Sequence, residues 1–287
     1  MPEPALTIAS LIRNSHLQST CCRWLAGGNV EMVWLNPEAN PIAVLDERRD
    51  EFDALLLEQG ALDRQGYESL LDLDLLLPAV VVGEVSGRIE FHDSEVHLPP
   101  DQLEQLSYSL DAAVSRYLQR GLLGAGNPAA GEATADTPDR WKLANRLKGR
   151  LGFVGVFYKR DPARFLRSLP ELDREELLNS LERTYRDLLL SYFRDPAAAN
   201  QALESFVNTA FFSDLPITKT VEIHMNLIDG FSQQLKLEGH KNDFLQDYRL
   251  ALLDVMAHLC EMYRRSIPPD SPIAGLPAPL PGQSSMA

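Results

Sequence analysis

Residues 247–267, DYRLALLDVMAHLCEMYRRSI, close the longest run of helical periodicity in the chain, which extends from Asp195 to Ile267. Phe244, Leu245, Tyr248, Leu252, Val255, Met256, Leu259 and Tyr263 follow the i, i+3, i+4, i+7 spacing of one buried helix face. Leu250, Leu253, Cys260 and Met262 add a second apolar strip. A helix apolar on two sides needs two neighbours, such as its own bundle and a partner chain, or a central place in one bundle. Asp243 with Gln246 predicts a capping-box start. Arg264 and Arg265 suit the negative end of the helix dipole, and Pro268-Pro269 stops the helix.

Working back from this helix, three more helical patterns precede it with short connections. Glu171 to Phe193 carries Leu177, Leu178, Leu181, Tyr185, Leu188, Leu189 and Tyr192 inward, and Asp195-Pro196 breaks it. Asn200 to Ser213 turns Leu203, Phe206, Val207, Ala210 and Phe211 inward. Asp214 and Pro216 open the next helix, which ends at the Gly239 cap. Four such helices predict an up-down bundle over 170–267.

The first 120 residues read differently. Apolar runs at Ala5–Ile12, Val30–Leu35, Phe52–Glu58, Pro78–Glu84 and Glu95–Leu98 alternate with helical stretches at Ser15–Leu25 and Ile42–Asp50. A long helix follows from Asp101 to Gln119. Near-continuous apolar strands suit a parallel sheet covered on both faces. The pattern predicts an α/β, flavodoxin-like domain over 1–120, joined to an all-α half. Receiver domains share this architecture, but their phosphate chemistry has no counterpart here. Arg13 and Asn14 follow the first strand, Glu58 is the one carboxylate at the third, and Leu98-Pro99-Pro100 supply no lysine after the fifth. The domain reads as a pseudo-receiver, with Glu58 a solvated strand end. The helix expected between strands four and five is also missing, because VSGRIEFHDS is short and polar.

Between the two halves lies a 121–169 connector. Its first part is rich in Gly, Ala, Thr and Pro and reads as a flexible linker. Its second part, Arg140 to Arg167, holds nine Lys or Arg and one acidic residue. Within it, Leu151 to Lys159 (LGFVGVFYK) has strand propensity and no sheet of its own, so it must pair with a second copy, another chain or the edge of the first domain. Its partner-facing residues are Leu151, Phe153, Val154, Val156, Tyr158 and Lys159. The tail, 268–287, is proline-rich and expected to be disordered.

The formal net charge is -14 and the pI about 4.9, which argues against general binding of nucleic acid or anionic membranes. Cys21, Cys22 and Cys260 lack metal spacing, and adjacent Cys21 and Cys22 are poorly placed to bridge. With no signal-peptide pattern and no run of about 20 apolar residues, the chain reads as reduced, cytoplasmic and not integral to a membrane. No phosphate loop, dinucleotide fingerprint, nucleophile elbow or zinc-protease motif occurs. His224 and His258 remain as phosphotransfer candidates, which keeps open a phosphorelay protein as the alternative to a non-enzymatic regulator. No metal site is expected.

FVNTAFFSDLPITKTVEIHM, DYRLALLDVMAHLCEMYRRSIP and LGFVGVFYKRDPARFLRSLP closely resemble the KaiA family of cyanobacterial circadian clock proteins. The likeness runs from Arg146 to Pro268, with shorter echoes at PAVVVGE, EVHL and QLEQL. It implies a homodimer that binds the C-terminal tail of the kinase KaiC, stimulates its autophosphorylation, and is sequestered by the KaiB–KaiC complex. By motif, it places the KaiC-tail groove on Met225, Ile228, Asp229, Lys236, Arg249, His258 and Cys260, and the KaiB-facing and dimer strand on Leu151 to Lys159. Asn226 and Gly230 depart from the acidic residues of the family pattern. The resemblance brings no required cofactor, and one candidate input molecule, an oxidised quinone at the pseudo-receiver.

Overall fold

The computed structural model describes residues 6–26, 28, 30–36, 39–125, 142–147, 160–237 and 243–267. Five strands form one sheet in the order β2-β1-β3-β4-β5: β1 (Leu6–Leu11), β2 (Val30–Trp34), β3 (Ala54–Glu58), β4 (Ala79–Val82) and β5 (Val96–Leu98). Every pairing is parallel, with Ala9 opposite Val33 and Leu55, and Val81 opposite Leu57 and His97. The α/β half is therefore the doubly wound sheet that its apolar strands predict. The central strands β3 and β4 are buried almost throughout, as expected where helices cover both faces.

The helices of this half are α1 (Ser15–Leu25), α2 (Pro41–Glu47), α3 (Arg64–Asp72) and α4 (Leu106–Ala125). Helix α3 is an addition to the sequence reading, which runs from the third strand to the fourth without it. Gly66 in its first turn depresses helix propensity, yet the Asp63 side chain accepts from Gly66 N–H as a cap, and Tyr67 and Leu70 are buried. A further helix, α5 (142–147), packs Leu143 and Leu147 into the core on the same side as α2 and α3. Arg146 fixes it there through Asp53, whose side chain is fully buried, at 3.0 Å.

No helix joins β4 to β5. The Glu95 carboxylate organises that connection instead, accepting from the backbone N–H groups of Glu90, Phe91 and His92 at 2.7, 2.7 and 3.2 Å. Glu58 also differs from expectation. Rather than a solvated strand end, it is half-buried and accepts from the N–H groups of Arg13 and Asn14 at 2.6 and 3.1 Å. One carboxylate oxygen thus ties β3 to the β1–α1 turn, where Asn14 caps α1.

The all-α half contains α6 (Glu171–Ser191), α7 (Pro196–Phe212), α8 (Ile217–Leu237) and α9 (Arg249–Arg265). Its organising helix is α7 rather than α9. Twelve residues of α7 are buried, against three of α9, namely Ala251, Val255 and Leu259. Small residues on α7 (Ala199, Ala202, Ser205, Thr209) let α6, α9 and α4 approach it from different sides. Asp243 to Tyr248 forms a 3-10 turn, so α9 starts at Arg249 without a side-chain cap and the Asp243–Gln246 box is not its start.

The two halves share one apolar core, running from Ile8 and Leu98 in the sheet to Phe206 and Leu259 in the bundle. A buried polar cluster crosses the same contact. Gln105 donates to Ser180 and Thr184 and accepts from Thr209, at 2.7–2.9 Å.

Candidate functional site

Helix α8 has a well-separated inner and outer face. Thr220, Ile223, His224 and Leu227 point inward and are buried. Ile217, Val221 and Met225, at i, i+4 and i+8, form an outward apolar stripe, with Met225 49 % exposed. Ile228 is half-buried beside that stripe, and Asp229 is exposed one turn beyond Met225. The side chain of Lys236 lies outside the described residues. Gly230 faces open space, so its helix cost of about 1 kcal/mol relative to Ala is not offset by packing.

On α9 the second apolar strip stands outward. Leu250 and Leu253 are 51 % and 62 % exposed. Arg249, His258 and Cys260 are exposed as well. His258 Nδ1 donates to the Asp254 carbonyl at 2.8 Å, which leaves Nε2 directed away from its own helix. The α8 residues stand on α6 and the α9 residues on α7. The motif-placed set is therefore two outward faces on different neighbours. Arg264 and Arg265 both pair with Glu261 at 2.6 Å, and those hydrogen bonds hold its carboxyl down to about 2.

Two features near these faces escape periodicity. Phe193, 53 % exposed, sits edge-on to Tyr192 and Tyr248, at 4.9 and 5.1 Å between centroids. The Tyr192 hydroxyl donates to the Asp254 carboxylate, joining α6 to α9. An aromatic pair immediately before the Asp195-Pro196 break is the one sequence signal for it. The residues Leu151, Phe153, Val154, Val156, Tyr158 and Lys159 lie outside the described residues.

The phosphotransfer alternative loses one of its two histidines. His224 is buried, and its Nδ1 shares a hydrogen bond with the Tyr185 hydroxyl at 3.1 Å. Burial pushes its pKa below the ordinary 6.5, and a phosphodonor has no access to it.

A cavity of about 270 Å³ lies where β5 and α4 meet α7. Gln201 bridges its rim, accepting from Gly87 N–H at 2.7 Å and donating to the Arg88 carbonyl at 3.1 Å. Arg116 pairs with Glu204 across it at 2.7 Å. His97 donates or accepts through Nε2 with Glu95 at 2.7 Å, while its Nδ1 and the Ser205 hydroxyl are buried without a protein partner. Among the described residues no His, Cys, Asp and Glu cluster could hold a metal. Among them, too, no helix is long and apolar enough to cross a membrane.

Comparison with known proteins adds to this geometry. The family model for the KaiA C-terminal domain matches residues 149–270, and that for the N-terminal domain of circadian clock protein KaiA matches 6–121. A circadian clock oscillator protein KaiA from Parasynechococcus marenigrum is 55 % identical over 282 residues, covering 96 % of this chain and 94 % of its own. That of Synechococcus elongatus is 38 % identical, covering 92 % and 98 %. The crystal structure of the C-terminal domain of Thermosynechococcus elongatus BP-1 KaiA shows 49 % identity, with a TM-score of 0.33. It covers 37 % of this chain and all of that one.

Proposed function

The chain belongs to the KaiA family of circadian clock proteins, and from that premise we propose that it is a non-enzymatic activator of the kinase KaiC. It binds the kinase's C-terminal tail as a homodimer and raises autophosphorylation. The observation that supports this reading is the pair of outward apolar faces, Ile217, Val221 and Met225 on α8 and Leu250 and Leu253 on α9. A lone exposed leucine needs no explanation, but contiguous helix stripes mark a surface that another chain covers. The α9 stripe serves self-association, and the α8 stripe, with Asp229 at its margin, receives an amphipathic tail, to which Arg249, His258 and Cys260 on α9 are added across the dimer.

Activation is then conformational. Holding the tail in one arrangement shifts the kinase toward its autophosphorylating state by no more than the differential affinity for the two arrangements. The KaiB–KaiC complex ends the stimulation by capturing the protein through the Leu151–Lys159 segment. An oxidised quinone at the pseudo-receiver domain is the input molecule suggested by the resemblance.

The test is direct. Added to KaiC with ATP, the full-length chain raises the phosphorylated fraction of KaiC; no change on addition sinks the proposal. Binding of the tail without any effect on phosphorylation would leave an adaptor rather than an activator.

A further inference from the structure

Arg160 joins the α7–α8 turn to the last turn of α9. Its guanidinium pairs with Asp214, in the α7–α8 turn, three residues before α8 begins at Ile217. The same group lies over three rings, Phe165 at 4.8 Å, Phe211 at 4.9 Å and Tyr263 at 5.2 Å. Tyr263 is in the last turn of α9 and itself packs on Phe211 at 5.1 Å. Arg160 thus touches the α7–α8 turn, the end of α7 and the foot of α9 at once. Its side chain is only 19 % exposed, so both the ion pair and the stacking are partly shielded from water.

The surrounding backbone suits such a clamp. Asp214 adopts a left-handed conformation, φ 56°, which aspartate tolerates and which turns its carboxylate back toward the preceding segment. Leu166 N–H donates to the Ser213 carbonyl at 2.6 Å, holding the turns at 162–168 against the same corner. Helix α8 rests on α6, while α9 rests on α7 and reaches α6 through the Tyr192–Asp254 hydrogen bond. The two helices thus share the packed α6–α7 base, and the Arg160 contacts add a direct tie at one end of it.

We propose that Arg160 is a positioning residue that clamps the turn leading into α8 to the foot of α9 and so sets the spacing between the two exposed faces. The consequence for the kinase tail rests on the function proposed above. A guanidinium suits the site because one edge holds the carboxylate while the rest of the group meets aromatic rings on several sides. Lysine keeps the charge for Asp214 and loses the stacking.

The experiment uses the full chain with Cys22→Ser and Glu222→Cys, spin-labelled at position 222 on α8 and at Cys260 on α9. Cys21 is buried, with its thiol pushed up to about 12 by burial, and stays unlabelled. Dilution with unlabelled chain isolates the distance within one molecule. Arg160→Lys is expected to shift and broaden that distance while leaving helical circular dichroism unchanged, and to weaken binding of a synthetic KaiC-tail peptide about tenfold. An unchanged distance overturns the clamp, and so does a change that appears only with loss of helical signal. Met225→Asp is the control for the groove. If it leaves peptide binding intact, the groove assignment fails, while the distance measurement still decides the clamp.

Discussion

Tyr185 and His224 form a buried pair within the bundle, and His224 gives the fold one source of pH dependence. The Tyr185 hydroxyl and His224 Nδ1 share a hydrogen bond at 3.1 Å. Burial depresses the folded-state pKa below 6.5, whereas the unfolded chain titrates near the ordinary value. The unfolded state thus binds the proton first as pH falls. The contribution of His224 is complete above the unfolded pKa and is lost as pH drops through and below it. Urea midpoints should decline between about pH 7.5 and pH 5.5, and His224→Gln should flatten that decline. An equally steep decline in His224→Gln would assign the proton uptake elsewhere. By sequence period Tyr185 stands at an inward position of its helix, whereas His224 reads as a phosphotransfer candidate. That they meet is a tertiary fact, because 39 residues and two loops separate them.

Helix α7 and helix α9 carry apolar residues of similar number but opposite consequence. Phe206 on α7 is fully buried and edge-on to Tyr185, with centroids 4.8 Å apart. Truncation to Ala should cost about 3–5 kcal/mol through lost transfer energy and the cavity left behind. Leu253 on α9 is exposed, so Leu253→Glu should change the stability of the fold by less than about 0.5 kcal/mol. It should nevertheless lower the mass of the self-associated species at micromolar concentration. Light scattering and urea unfolding of both variants check the contrast; a Leu253→Glu chain that keeps its partner would take this strip out of the dimer face. Periodicity marked both strips of α9 as apolar, but a sequence period gives the angle of a face and not its neighbour. The assignment of the centre to α7 needed the small residues Ala202, Ser205 and Thr209 to be seen beneath α6 and α4.

Across the described residues, the sheet and the bundle share an apolar core and the Gln105–Ser180–Thr184–Thr209 cluster, which predicts cooperative unfolding. With the third tryptophan removed by Trp141→Phe, Trp24 and Trp34 report the sheet half, while most of the helical signal comes from the bundle. Tryptophan fluorescence and far-ultraviolet circular dichroism should therefore follow coincident urea transitions. Gly87 is the sensitive joint. Its φ is +72°, and a Cβ there would stand 2.3 Å from the Ala197 Cβ of α7. Gly87→Ala adds left-handed strain of about 1–2 kcal/mol to that clash, and should separate the two transitions. Coincident transitions in Gly87→Ala would show that the Gln201 bridge contributes little to the joint.

The strands, the four helices of the bundle and the loss of receiver chemistry were legible in the sequence. They follow from local rules: apolar runs, 3.6-residue periods, proline and glycine breaks, and the residue types at strand ends. Family membership rested on motifs that are likewise local strings. Helix α3 was hidden because Gly66 weakens its propensity and only burial of Tyr67 and Leu70 sustains it. The role of Glu58 was hidden because its partners, Arg13 and Asn14, lie more than forty residues away. The tertiary structure alone decided that α7 is central, that Arg160 bridges the α7–α8 turn and α9, and that the outer strips of α8 and α9 are exposed among the described residues. The physical reason is the same in each case. Periodicity and propensity are properties of neighbouring residues, whereas burial and ion pairing depend on which distant segments the packed core brings together.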